Sequence, residues 1–313
     1  MHERTQIALK LILSHFVILF SLVTLSFLIQ QDSLLIITIS ETFLIILFLS
    51  GYWEFFGIRF RWMYCISIQT LLLVELYWKT YFSLYEFKLV LAVPLALVQL
   101  YLIFLLIKIL VVIFEKGRKS IEIDFPIKGG RYLITDGGNS KISRLMNYHY
   151  YSPVHRKNKT NKSMLYATDI VKLLKKNRHF LPIKNTDYAI YEEKVFSPIH
   201  GTVTKVIHGI PDNEPFSGKY PYNTGNTVVI KNENLYLLLG HLKPGSIQVK
   251  EGDNVQKNTL IAEIGNSGWT ERPHLHMQLM ESQNENYWYG TGICMKFKNK
   301  NLYKNRIINM HKV

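Results

Sequence analysis

The chain has 313 residues, 48% of them hydrophobic, with two cysteines and a formal net charge of +14. That length allows about two domains. Two cysteines without CxxC spacing suggest neither a disulfide framework nor a thiolate metal site, and they say nothing about compartment. The surplus of lysine comes without a DNA- or RNA-binding signature, so nucleic acid is not expected as a partner.

Hydrophobicity is unevenly spread. Residues 1–114 are almost continuously apolar, and the charged juncture Glu115-Lys116-Gly117-Arg118-Lys119 opens a polar half rich in Lys and Asn. Four apolar segments stand out: Leu11–Ile29, Leu34–Tyr52, Trp62–Trp78 and Leu89–Phe114. A helix crosses a bilayer with about 20 apolar residues. The reading is therefore an N-terminal α-helical transmembrane bundle of about four helices over 1–115, with the lipid bilayer as its partner. Glu41, Glu75 and Lys108 inside these segments fit interhelical contacts or snorkelling side chains. Arg59 and Arg61 between the second and third segments, and Lys116, Arg118 and Lys119 after the fourth, place both termini in the cytoplasm under the positive-inside rule.

The second half reads as short strands separated by turns. Ile121–Phe125 alternates, Arg131–Thr135 is a strand, and Leu165–Val171 is a strand with Asp169 embedded in it. A carboxylate in an apolar strand is unfavourable unless it is paired or bound to a metal. Between these strands lie Asn147-Tyr148-His149 and a Lys/Asn-rich insertion, 155–163. From Val195 onward the pattern is strand and turn throughout: Thr202–Ile207, Asn226–Lys231, Leu235–Leu239, Val249–Val255, Leu260–Ile264 and His274–Met280. Such spacing predicts a mainly antiparallel all-β domain, sandwich- or barrel-like, over 116–295. The basic stretch 296–313 reads as a tail with a solvated or membrane-surface role.

One motif carries chemistry. His274 and His276 flank Leu275, so in a strand both imidazoles share a face. Two imidazoles there can bind a metal or move protons; an isolated pair can equally be two surface histidines.

The stretches around this pair appear in a telling order. Leu237-Leu238-Leu239-Gly240-His241-Leu242, Gly252-Asp253, Gly265-Asn266-Ser267-Gly268 and Pro273-His274-Leu275-His276 together resemble the C-terminal signature of the lysostaphin/LytM-type zinc metallopeptidases. The resemblance implies an endopeptidase that hydrolyses peptide bonds of bacterial cell-wall peptidoglycan. It makes His276 a zinc ligand, with His241 and His274 as catalytic residues. The compact His-x-x-x-Asp motif of that family is missing: Ile183 stands four before Asp187. In a branch of the family an insertion separates the two ligands, and His149 followed 20 positions later by Asp169 resembles that arrangement. His179 with Asp187 is the rival pair. Two His and one Asp would leave a fourth position of a tetrahedral zinc open, as in catalytic sites.

Two further readings stand beside this one. A catalytically silent relative would bind wall peptide or a partner protein and regulate other hydrolases. The run Val249–Ile264 resembles biotinyl or lipoyl carrier domains, but Asn266-Ser267 occupies the turn where those carry a lysine. A wall hydrolase needs its domain outside the cell, whereas the charge bias of the apolar half points inward. The expected location is the cell membrane with the β domain extracytoplasmic.

Overall fold

The computed structural model describes residues 70, 89–115, 119–151, 160–173, 182–217, 220, 223–283 and 286–310. Two compact units divide the chain, Met1–Ile109 and Leu110–Val313.

The expected transmembrane bundle is corrected. The first three apolar segments fall, Thr70 aside, outside the described residues. Among the described residues there is one long helix, α1 (Leu89–Phe114), rather than a bundle. No helix of these residues is long and apolar enough to cross a membrane. A physical reason is visible at the end of α1: its apolar side chains are not all free for lipid. Val112 is 1% exposed, and its Cγ1 lies 2.4 Å from where a Cβ on Gly138 would be. Val112 there serves contact with protein, while Leu110, Val111 and Phe114 around it are exposed. Lys108, unexpected in an apolar run, rests its ammonium 4.6 Å from the centre of the Phe104 ring, one turn back.

The second unit is mainly β. Its strands are β1 (Ser120–Glu122), β2 (Arg131–Asp136), β3 (Thr168–Lys172), β4 (Lys194–Phe196), β5 (Gly201–Ile207), β6 (Asn226–Asn232) and β7 (Leu235–Leu242). They continue with β8 (Asn254–Val255), β9 (Leu260–Glu263), β10 (Leu275–Glu281), β11 (Thr291–Gly292), β12 (Cys294–Phe297), β13 (Lys300–Asn301) and β14 (Ile307–Asn309). The main sheet runs β14-β2-β3-β10-β7-β6-β5-β8, with β11 added to β10. Every pairing in it is antiparallel. Two small sheets, β1-β12-β13 and β4-β9, complete the fold.

The centre of the main sheet is covered on both faces, and the alternation of β7 shows how. Leu237, Leu239 and Leu242 join the large core with Ile170, Val228, Ile230, Leu275, Met277 and Leu279. Tyr236 and Leu238 point the other way, to Val229 and Met280 beneath Tyr287 and Trp288. Burying one such side chain contributes about 1.5–3 kcal/mol. A sheet loaded on both faces cannot shift register by one residue without exchanging its two sets of partners.

The stretch 296–313 is not a solvated tail where it is described. Met295 and Phe297 enter the core, β12 pairs with β1 and β13, and β14 closes the edge of β2. The lysines that suggested a tail mark strand ends and turns.

Candidate metal centre and its flanking histidines

The strand register builds this site. Asp169 is the second residue of β3 and His276 the second of β10, and the two are direct Cα partners. Their side chains therefore leave the sheet together. His276 Nδ1 lies 2.9 Å from Asp169 Oδ1. His149, buried in the 3-10 turn His149–Tyr151, brings Nε2 to 3.3 Å from Asp169 Oδ2. One donor atom from each of the three residues can be chosen so that all lie within 4.8 Å of one another. Ligands of a tetrahedral zinc stand roughly 3.3 Å apart, so two imidazoles and a carboxylate at these spacings suit the ion in number, type and distance.

Both imidazoles are held from behind. The amide nitrogen of Asn147 donates to the carbonyls of Gly138, at 2.9 Å, and Ala167, at 2.8 Å. That fixes which way the amide faces, and its Oδ1 then accepts from His149 Nδ1 at 2.6 Å. The proton on Nδ1 leaves Nε2 as the lone-pair atom towards Asp169. On the other ring, His276 Nε2 lies 3.0 Å from Gln278 Oε1. Gln278 Nε2 turns to Met280 Sδ, so Oε1 is the acceptor and Nδ1 of His276 is free to bind. Support of this kind sets tautomer and ring orientation in metal sites.

The catalytic pair of the sequence analysis stands beside these residues. The ring centres of His241 and His274 are 4.7 Å apart, and His241 is 5.7 Å from His276. His241 does not reach this place by regular strand geometry. Gly240 is the Cα partner of His276, so in a flat strand the next residue would point to the opposite face. The backbone of His241 is left-handed, with φ of 59°, and this re-aims the ring. Strain of that sort costs of order 1–3 kcal/mol and gathers at functional positions. His241 Nδ1 donates to Ser267 O at 2.7 Å, and His274 Nδ1 to Arg272 O at 2.9 Å, with Thr270 Oγ1 at 3.1 Å. In the neutral ring each presents Nε2 as the lone-pair atom; that of His274 lies 3.6 Å from Asp169 Oδ1.

The loop Gly265-Asn266-Ser267-Gly268 thus supplies a carbonyl that orients His241. It packs backbone against backbone on the Asn223–Asn226 loop. A Cβ on Gly225, where φ is +67°, would lie 2.1 Å from Ser267 O, so no other residue fits there.

Electrostatics sort the five groups. Burial opposes charge on His149, but the Asp169 carboxylate, its hydrogen bond and Asp136 outweigh this and raise the imidazole pKa. Burial would raise Asp169, yet His149 and His274 pull it well below the ordinary carboxylate value. His241 is driven the other way, well below the ordinary imidazole value, by burial first and then by repulsion from His274 and His276. Behind the site Asp136, a Cα partner of Asp169 across a bulge, is raised by burial, against the pull of Lys304. Lys304 is itself buried and pairs with Asp136 at 3.3 Å, far from the solvated role the sequence suggested for its stretch.

The rival ligand pair is not assembled. Asp187 is exposed in the 3-10 turn Asn185–Asp187, and His179 lies outside the described residues. Sequence reasoning missed Gln278 and gave Asn147 no role. Gln278 was within reach, because it stands two after His276 and shares its face of β10. Asn147 was not, because its partners Gly138 and Ala167 meet only in the fold.

Residues 183–287 match peptidase family M23, and this segment holds His241, His274 and His276. No curated protein matches the chain. Among solved structures it is similar to the catalytic domain, in variant form, of the prophage-encoded M23 protein EnpA from Enterococcus faecalis. The identity is 19% and the TM-score 0.30, over 47% of this chain and 85% of that one. The catalytic domain of the antimicrobial peptidase lysostaphin from Staphylococcus simulans gives 17% and 0.29, over 47% and 86%. A zinc containing peptidase from Vibrio cholerae gives 22% and 0.31, over 61% of this chain and 40% of that one. The chain thus spans well under half of that last protein. The segment that carries the three histidines matches that peptidase family, and its fold is mainly β.

Proposed function

We propose that this domain is a zinc-dependent endopeptidase acting on the peptides of bacterial cell-wall peptidoglycan. The observation that carries the reading is the convergence of His149, Asp169 and His276 on one point, with His241 and His274 alongside. Zinc held by the three would supply Lewis acidity towards a scissile carbonyl and acidify a water molecule. The chain's own groups supply the rest. His241 is neutral near pH 7 and its Nε2 is free, so it accepts the proton that water gives up. His274, tethered through Nδ1 to Arg272 O, turns Nε2 to the same space; in its protonated form that nitrogen donates to the developing oxyanion or gives its proton to the departing amine. The strain at His241 and the carbonyls of Ser267 and Arg272 hold both rings before substrate arrives, which is how a preformed site avoids reorganisation.

Peptidoglycan as substrate places the domain outside the cytoplasm. The test is release of new amino groups from purified peptidoglycan by the zinc-loaded protein and by its His241→Ala variant. Release by the parent and loss in the variant support the reading; no release from peptidoglycan or from glycyl and D-amino-acid peptides removes it.

A second reading, a relative that binds wall peptide without cutting it, is favoured by one observation. His149 and Asp169 precede the matched segment 183–287, so the family match does not itself include them. Sedimentation of the protein with peptidoglycan in the absence of any cleavage would select this reading.

A further inference from the structure

The hydrogen bonds behind His149 lead out of the site to the end of α1. We propose that Glu115 is a positioning residue: it clamps the two backbone stretches from which Asn147 hangs, and so holds His149 in its place. The inference rests on the reading of His149 as a metal ligand and adds the device that sets its geometry.

Asn147 has two N–H donors, and both are committed to carbonyls, those of Gly138 and Ala167. Its oxygen accepts from the His149 backbone at 3.1 Å as well as from the ring. The place of the ring therefore depends on the spacing between residues 138 and 167. Glu115 acts on the neighbours of those two residues. Its Oε1 accepts from Asn139 Nδ2 at 2.9 Å and from the Tyr166 hydroxyl at 3.2 Å. Asn139 Nδ2 also donates to the Tyr166 oxygen at 3.0 Å. Asn139 follows Gly138, and Tyr166 precedes Ala167. Glu115 and Asn147 thus bind the same pair of stretches from opposite sides.

The clamp is anchored at its base. The Glu115 carbonyl accepts from Asn301 Nδ2, and Val112 fills the space over Gly138. Position 138 has φ of +89°, so it cannot take a side chain that would keep Val112 away. A carboxylate suits the post because its bonds to neutral donors are charge-assisted and roughly twice as strong as neutral ones. Glu115 lies outside the matched segment 183–287, yet it reaches the metal centre in three hydrogen-bonded steps.

The test uses the full chain in three forms, the parent, Glu115→Ala and Glu115→Gln. Glutamine keeps an acceptor oxygen and tests rescue. In metal-free protein, hydrogen exchange at the amides of 147–149 should rise about tenfold in the alanine form, stay at the parental rate in the glutamine form, and leave β7 and β10 unchanged. Zinc affinity, measured by competition with a chelator, should fall about tenfold in the alanine form, at the low end for groups behind a ligand, and recover in the glutamine form. Parental protection at 147–149 in the alanine form would overturn the proposal. So would faster exchange spread evenly over the domain, failure of glutamine to rescue, or unchanged zinc affinity in a parent that binds zinc. A parent that binds no zinc ends the peptidase reading instead, and exchange at 147–149 still decides whether Glu115 positions His149.

Discussion

Asp169 and His276 are Cα partners across antiparallel β3 and β10, although 107 positions separate them in the chain. A single strand register therefore sets the distance between a carboxylate and an imidazole. Replacing either by alanine should abolish stoichiometric zinc, as read by metal analysis after dialysis. His241→Ala should keep its zinc. Full zinc content in Asp169→Ala would show that the metal site lies elsewhere.

His241 should separate binding from chemistry. Its Nε2 faces the site but is not needed to hold an ion. His241→Ala should lower peptide hydrolysis by about 10²–10⁴-fold, the usual yield of a positioned acid or base. Its depressed pKa also sets the sign of the pH dependence. The base stays unprotonated below the ordinary imidazole range, so the acid limb of the rate profile should fall below about pH 6.5. An acid limb centred above that value would remove His241 from the role.

Gln278 offers a test of the support behind the ligands. Gln278→Leu keeps the volume on that face of β10 but takes away the acceptor of His276 Nε2. Zinc affinity should drop by about 10–100-fold with the fold intact. Chelator competition alongside a thermal melt reads both; an unchanged affinity would assign the hydrogen bond no part in binding.

The metal-free protein should show a particular dependence of stability on pH. His149 is raised in the folded state, so its contribution is complete below the unfolded value of about 6.5 and is lost as pH rises through the folded value. Asp169 is depressed, so its contribution is present above about 3.9 and is lost as pH falls through its folded value. The contribution of this pair to the urea midpoint without zinc should thus be highest between these limits and decline above neutrality, while His241, whose pKa is depressed, works in the opposite direction as pH rises. Asp169→Asn should flatten that decline. If the asparagine form declines as steeply as the parent, the pair is not its source.

The large core makes a plainer prediction. Leu239 is fully buried between the partners named for β7, and Leu239→Ala should cost about 2–5 kcal/mol. Denaturant unfolding followed by circular dichroism measures it.

Much of the β half was legible because its information is local. The short apolar run Leu235–Leu239 and the turns at Asn232-Glu233-Asn234 and Gly265–Gly268 predict strands that the fold contains. His274 and His276 announced themselves by spacing. Elsewhere the deciding physics is not local. Apolar sequence in Leu89–Phe114 looks the same whether it meets lipid or protein, and the burial of Val112 depends on Gly138, which lies in a distant loop of the same unit. The lysines of 296–310 disguised strands, since Lys296 and Lys300 flank the inward Phe297 without changing its partners. His241 was read as a site residue from its motif, while the left-handed backbone that turns it to the site has no signature in a single sequence.

The closing strand β14 gives the domain a direction in time. Ile307–Asn309 pairs with β2, β2 with β3, and β3 carries Asp169. Until residue 309 has emerged from the ribosome, β2 has one unpaired edge, and the buried ammonium of Lys304 has yet to reach Asp136 behind the metal centre. A nascent chain arrested before that point would present an open strand to its neighbours, an invitation to edge-to-edge association. The proposed metal ligands are all synthesised by residue 276, so the chain makes these groups first and adds the strand beside β2 after them.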